Sequence, residues 1–294
     1  MKLHGIFPPI TTPFDRNGDL YQAKVRHNIE KWNLTALAGY VVTGSTGESV
    51  LLTTEEKLRL WGWVAESAAV EKTLIAGTGA ESVRETVALT NQAAAMGYKA
   101  ALVRTPSYYK NVLNNAAAQM LYFRAVADQS KIPVLIYNFP AVTGIDLAAD
   151  AVVELSAHPN IAGIKESSAN IEKIMRMARE AQAGFQVLAG SAAVLWPALM
   201  AGAAGAILAF ANAAPYSTIA IWEACRTREY DAAADWQNRI ARAAALVPAR
   251  YGVAGLKHAM DLNGYYGGPP RLPLTPPSPE AKRDIEDAFH DLKG

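Results

Sequence analysis

Eight short apolar runs rich in β-branched residues recur along this chain at wide, regular intervals, and no other feature restricts its fold so tightly. They are Ile6 to Thr11, Tyr40 to Thr43, Thr73 to Ala76, Ala100 to Val103, Val134 to Tyr137, Ile161 to Lys165, Phe185 to Ala189 and Ala204 to Phe210. Antiparallel hairpins need loops of a few residues, whereas each interval here has room for one helix and two loops. Helix signals fill those intervals. Thr53 with Glu56 forms a capping box ahead of Leu60, Trp63 and Val64. Ser82 with Glu85 repeats it ahead of Val87, Leu89 and Ala94, with Gly97 as the stop. Strands apolar on both faces need helices outside them. The repeat therefore predicts an α/β fold, a closed (β/α)8 TIM barrel in preference to an open doubly wound sheet.

After Phe210 only helical patterns remain: Thr218 to Cys225, Tyr230 to Val247, and Gly252 to Leu262 with a stop at Gly264. A Pro-rich passage, GGPPRLPLTPPSP, precedes a last helix that begins near Pro279 and has Lys293 near its end. The chain is thus read as a barrel catalytic domain, residues 1–224, and a C-terminal helical domain, residues 225–294, with the helices packing on the barrel, a neighbouring subunit, or both.

Composition closes off several functions. With 28 Lys plus Arg against 27 Asp plus Glu, the net charge of +1 offers no basic field for nucleic acid. A lone cysteine, Cys225, forms neither an internal disulfide nor a CxxC site, which fits a reducing, cytoplasmic compartment. Ala192 to Ala211 is uncharged and long enough to span a bilayer, but Pro197, Gly202 and Gly205 divide it into a buried helix and a strand, so no membrane role follows. Prolines at 8, 9 and 13 interrupt any signal-peptide core, and the mature chain is expected to start near Met1. The five histidines show no ligand spacing, so no metal is expected. GTGAES at 77–82 lacks the last glycine of a dinucleotide fingerprint, and no GxSxG occurs; no cofactor is called for.

In a βα barrel the chemistry sits where strands end. Lys165 closes the run IAGIK; facing the barrel mouth it would be desolvated, and a neutral amine attacks carbonyls to form a Schiff base, an electron sink for an adjacent carbon–carbon bond. Read alone, a strand-end lysine beside Glu166 more often simply reaches water. Tyr137 ends VLIY, where its hydroxyl either moves protons in the same mouth or bonds a core carbonyl. The loop GSTGE at 44–48 sets two hydroxyls and several backbone N–H groups between glycines, as a carboxylate cradle or an ordinary turn.

Six motifs appear in order: GSTGES at 44–49, TPSYYK at 105–110, YNFP at 137–140, GIKES at 163–167, LAGSA at 188–192 and GAIL at 205–208. Together they resemble the pyruvate-dependent class I aldolases, the family that contains dihydrodipicolinate synthase and N-acetylneuraminate lyase. The resemblance covers nearly the whole chain. It implies a (β/α)8 barrel with a C-terminal helical domain, a homo-oligomer (dimer or dimer of dimers, the family's homotetramer), and small-molecule partners, a 2-oxo acid and an aldehyde. It further implies that Lys165 forms the Schiff base, that Tyr137 and Thr46 relay protons, and that Ser45, Thr46 and Gly47 take the 2-oxo carboxylate. By the same resemblance Ser167, Gly190 and Ile207 line the substrate pocket, and Tyr109, or its neighbour Tyr108, reaches into the neighbouring subunit's site.

Two positions depart from the family. Val142 stands where dihydrodipicolinate synthases carry an arginine that grips the second substrate's carboxylate, and Thr46 stands where animal 4-hydroxy-2-oxoglutarate aldolases carry asparagine. Within the family the likeness is nearest to the 4-hydroxy-2-oxoglutarate aldolase branch, through YNFPAVTGIDL, FQVLAGSA and GLKHAMDLNGYYGGPPRLPL. That branch implies reversible cleavage of 4-hydroxy-2-oxoglutarate to pyruvate and glyoxylate. The alternatives are a dihydrodipicolinate synthase with a substitute for the arginine, a 2-keto-3-deoxy sugar-acid aldolase or dehydratase, and a non-catalytic barrel that binds a 2-oxo acid.

Overall fold

The computed structural model describes residues 2–292; Met1 and Lys293 lie outside the described residues. Each apolar run overlaps one strand, with ends that differ by a few residues: β1 (Gly5–Phe7), β2 (Gly39–Val42), β3 (Thr73–Gly77), β4 (Ala100–Arg104), β5 (Val134–Asn138), β6 (Ile161–Glu166), β7 (Gln186–Ala189) and β8 (Gly205–Ile207). They form one parallel sheet in the order β1-β8-β7-β6-β5-β4-β3-β2. Three hydrogen bonds close β1 onto β2: Ala38 N to Ile6 O (2.9 Å), Val41 N to Pro8 O (3.0 Å) and Ile10 N to Val41 O (2.9 Å). β1 stops at Phe7 because Pro8 and Pro9 have no N–H to extend a ladder. β8 is shorter than its apolar run. Beyond Ile207 the chain turns at Ala209–Asn212, held by Asn212 Nδ2, which donates to Pro9 O (3.0 Å) and Ala209 O (2.8 Å).

Helices α1 (Gln22–Asn33), α2 (Thr54–Ser67), α3 (Val83–Ala95), α4 (Ala116–Gln129), α5 (Ala149–Leu155), α6 (Ile171–Glu180), α7 (Leu195–Met200) and α8 (Pro215–Arg226) follow the strands in turn. The α2 capping box forms: Glu56 N donates to Thr53 Oγ1 (3.2 Å) and Thr53 N to Glu56 Oε2 (2.9 Å). Its buried face carries Trp61 instead of Trp63, because the Trp61 indole donates inward to Thr43 Oγ1 (2.9 Å). On α3 the buried residues are Thr86, Leu89, Thr90 and Ala93, not Val87 and Ala94. The threonine hydroxyls are satisfied inside, Thr86 by Tyr122 (2.9 Å) and Thr90 by Thr78 (2.8 Å), so an apolar count misplaces this face. The uncharged stretch 192–211 holds α7 and β8, and among the described residues no helix is long and apolar enough to cross a membrane.

Three helices complete the chain: α9 (Tyr230–Ala244), which packs on α7 and α8, then α10 (Gly252–Leu262) and α11 (Pro279–Ala288), which pack together. α9 ends three residues before the expected Val247. That residue is extended (φ −125°, ψ 123°), the conformation a following proline imposes. Side chains fall into two apolar layers. The larger lies between strands and helices; the smaller fills the barrel and includes Phe7, Val41, Leu135, Tyr137, Leu188 and Ile207.

Candidate active site

Strand alternation turns Lys165 into the barrel and its neighbour Glu166 outward. Glu166 is fully buried on the outer side, where Lys173 Nζ (3.1 Å), Asn138 Nδ2 (3.0 Å) and Ser168 N (2.7 Å) surround its carboxylate. It is therefore not the partner of Lys165. Lys165 is 4% exposed and lies in register between Tyr137 on β5 and Leu188 on β7. Its Nζ stands 4.1 Å from the centre of the Tyr137 ring. Burial pulls its pKa down to about 7, with no carboxylate offsetting the desolvation.

Burial acts in the opposite sense on Tyr137, holding its hydroxyl well above the usual phenol range, while the hydroxyls of Ser45 and Ser167 beside it pull the other way. Phe139 stacks on its ring at 5.6 Å. Ser167 Oγ is buried without a well-formed hydrogen bond among the described residues, with the Tyr137 hydroxyl beside it. The need for glycine at Gly190 follows: a Cβ there would lie 1.9 Å from Ser167 Oγ and 2.8 Å from Glu166 O. Ile207 is fully buried in the same interior layer as Tyr137.

The loop after β2 supplies the remaining groups. Ser45–Gly47 form one turn of 3-10 helix, with Ser45 half-buried and Thr46 buried. Gly47 shapes this turn: its N–H donates to Gly44 O (3.0 Å), its carbonyl accepts from Thr12 Oγ1 (2.6 Å), and a Cβ would crowd Ile10 O at 2.9 Å. Two buried non-glycine residues, Thr43 (φ 58°) and Glu48 (φ 57°), bracket the turn in the left-handed region. Such backbone costs about 1–3 kcal/mol per residue and persists only where its surroundings hold it. A cavity of about 340 Å3 is lined by Ser45 and Tyr137 together with Lys57, Glu81, Glu85 and Arg104.

The structure thus brings together Lys165, Tyr137, Ser45 and Ser167, with Gly190 against Ser167 and Ile207 in the interior layer that holds Tyr137. Tyr108 and Tyr109 stand apart, edge to face at 5.1 Å and 78% and 65% exposed. Val142 is exposed on a one-turn helix, Pro140–Thr143. Of the polar residues beyond Lys165, Asn170 accepts from Lys173 N (3.0 Å) as the α6 cap and Ser168 Oγ accepts from Asn170 N (3.3 Å), so both serve the turn. Sequence reasoning missed the pair Glu48 and Lys257, described below. A buried lysine of lowered pKa that lacks an ion partner, beside a tyrosine of raised pKa at the catalytic end of a βα barrel, is the arrangement that a lyase working through a lysine Schiff base requires.

The chain belongs to the dihydrodipicolinate synthetase family, whose model matches residues 2–292 and whose members are class I, pyruvate-dependent lyases. It is 37% identical to a probable mitochondrial 4-hydroxy-2-oxoglutarate aldolase of Emericella nidulans, over 98% of this chain and 94% of that one. It is 35% identical to a 4-hydroxy-tetrahydrodipicolinate synthase of Methanothrix thermoacetophila, over 99% and 98%. Among solved structures, the dihydrodipicolinate synthase of Aquifex aeolicus superposes with a TM-score of 0.93 at 28% identity, covering 99% of both chains.

Proposed function

We propose that this enzyme cleaves 4-hydroxy-2-oxoglutarate reversibly to pyruvate and glyoxylate. The observation that carries the chemistry is Lys165, buried without a counter-charge over the Tyr137 ring. The neutral Lys165 amine adds to C2 of the 2-oxo acid, and the Tyr137 hydroxyl passes a proton to the departing oxygen so that water leaves and an iminium forms. The C3–C4 bond then breaks. Its electron pair flows into the iminium as an enamine on Lys165, the C4 hydroxyl loses its proton, and glyoxylate departs. Protonation of C3 and addition of water release pyruvate and restore the amine. Ser45 and Thr46 hold the C1 carboxylate, with Thr46 in the proton relay and Gly47 setting the turn; Ser167, Gly190 and Ile207 bound the pocket.

For the substrate, Val142 supports this reading: an aliphatic side chain offers no bidentate clamp for aspartate semialdehyde. The capping roles of Ser168 and Asn170 leave few hydroxyl-binding groups for a sugar acid. Catalysis in this reading belongs to the barrel, residues 1–224, and the helical segment 225–294 buttresses it. The exposed Tyr108, Tyr109, Val112 and Val142 favour a homo-oligomer, up to a tetramer, in which Tyr109 enters a neighbouring site. Half-buried Cys225, free of any disulfide, accords with the cytoplasm. Intact-mass spectrometry after incubation with pyruvate and borohydride, beside Lys165→Arg, tests the chemistry: an adduct on the wild type alone is expected, and its absence overturns the mechanism. Glyoxylate release from 4-hydroxy-2-oxoglutarate, against condensation of pyruvate with aspartate semialdehyde, then tests the substrate; faster condensation would overturn it.

A further inference from the structure

Glu48 ends the turn that carries Ser45 and Thr46, and its carboxylate is fully buried. Lys257 of α10, only 1% exposed, meets Oε1 at 2.6 Å. The backbone N–H of Arg271, in the Pro-rich strap after α10, donates to Oε2 at 2.8 Å. Lys257 Nζ also donates to the carbonyls of Thr12 and Pro269, each at 2.9 Å, and lies 4.6 Å from the centre of the Phe14 ring. Thr12 in turn donates its hydroxyl to Gly47 O at 2.6 Å. The Arg271 side chain locks the far end of the loop, donating to Leu51 O (2.9 Å) and to both oxygens of Glu56 (2.6 and 2.7 Å). The buried polar contacts of Glu48 and Leu51 thus lead to the strap and to Lys257.

A buried ion pair adds little net stability over apolar packing, but it fixes geometry. The geometry it fixes here is backbone that would not hold itself, since Glu48 is left-handed. We propose that Lys257 is a positioning residue for substrate binding: through Glu48 and Thr12 it holds the Ser45–Thr46 hydroxyls where the carboxylate of a 2-oxo acid is recognised. Lys257 touches no substrate. The inference rests on the Schiff-base aldolase reading and assigns the C-terminal helices a share in its specificity.

Borohydride trapping measured across a range of pyruvate concentrations, and repeated with pyruvamide, tests it. In Lys257→Met the half-saturating pyruvate concentration should rise about 10-fold or more, as misplacing a binding group by a fraction of an ångström does. The trapping rate at saturation should change far less. Trapping by pyruvamide, which lacks the carboxylate, should be nearly unaffected, so the preference for pyruvate collapses; Lys257→Arg should restore most of it. If Lys257→Met does not fold, the charge-free double variant Glu48→Gln/Lys257→Met, which leaves no unpaired buried charge, reads the same ratio. A pyruvate-to-pyruvamide preference within twofold of wild type overturns the proposal, as does an equal loss with both compounds. Failure of the wild type to trap pyruvate would instead overturn the aldolase reading, and this inference with it.

Discussion

Two lysines in this chain are almost equally buried and do opposite things. Lys257 is enclosed by one carboxylate and two carbonyls; Lys165 faces an aromatic ring and no carboxylate. Burial lowers the pKa of both, but around Lys257 the charge of Glu48 works against it, whereas nothing opposes it at Lys165. Lys173 sides with Lys257, held by Asp146 (2.5 Å) and Glu166 (3.1 Å). Burial alone therefore does not mark a reactive lysine. Lack of a counter-charge does, because only then is the neutral amine present near neutral pH without another group having been displaced.

The contrast is sharpest in the response to mutation. Lys165→Met should abolish the borohydride adduct and lower turnover on the order of 10^4-fold or more, the scale for removing a nucleophile; glyoxylate release is the assay. Tyr137→Phe keeps the ring beneath Lys165 and removes the proton carrier, and turnover should fall roughly 10^2- to 10^4-fold with the adduct forming slowly. Lys257→Met should lower stability to urea by about 3–5 kcal/mol, because Glu48 is left charged and buried. Lys165→Met should do the reverse. A lysine whose folded pKa lies below its unfolded value burdens the fold most below the folded pKa, and the burden fades as pH rises to the unfolded value. The variant's gain in melting temperature should thus be largest below about pH 7 and vanish as pH approaches the ordinary lysine value of 10.5. A gain that persists to high pH would break the comparison. The mildest test is the wild-type trapping rate, which should climb with pH through about 7 and then level as Lys165 loses its proton.

The lysine in the barrel and the one on α10 also differ in how readable they are. Lys165 and Tyr137 sit where apolar strands end, and a βα barrel confines chemistry to those ends, so the strand pattern finds them. Gly190 is reached in the sequence only through the resemblance, and the reason for glycine there is visible once the Ser167 hydroxyl is seen to fill the space of its Cβ. Lys257 lies within α10 with no local cue to a partner in a loop near residue 48. The one trace in its neighbourhood is Gly267, where a Cβ would fall 1.9 Å from Lys257 O. The α3 face escapes the apolar pattern for a related reason: Thr86 and Thr90 are buried through hydroxyl partners on other elements, and periodicity counts only apolar side chains.

The order in which the parts of this site leave a ribosome gives the Lys257 contact another meaning. β1 is made first, yet its ladder partner β8 is the last strand of the barrel, so during synthesis it can rest only on its three hydrogen bonds to β2. Ser45, Tyr137 and Lys165 have all been translated before the wall closes at Gly205, and Lys257 arrives later still. A nascent chain stalled between those points would carry Ser45, Tyr137 and Lys165 and lack the ammonium that meets Glu48. On the proposal above, the affinity of the barrel for a carboxylate is set by a residue translated only after the last strand of its wall.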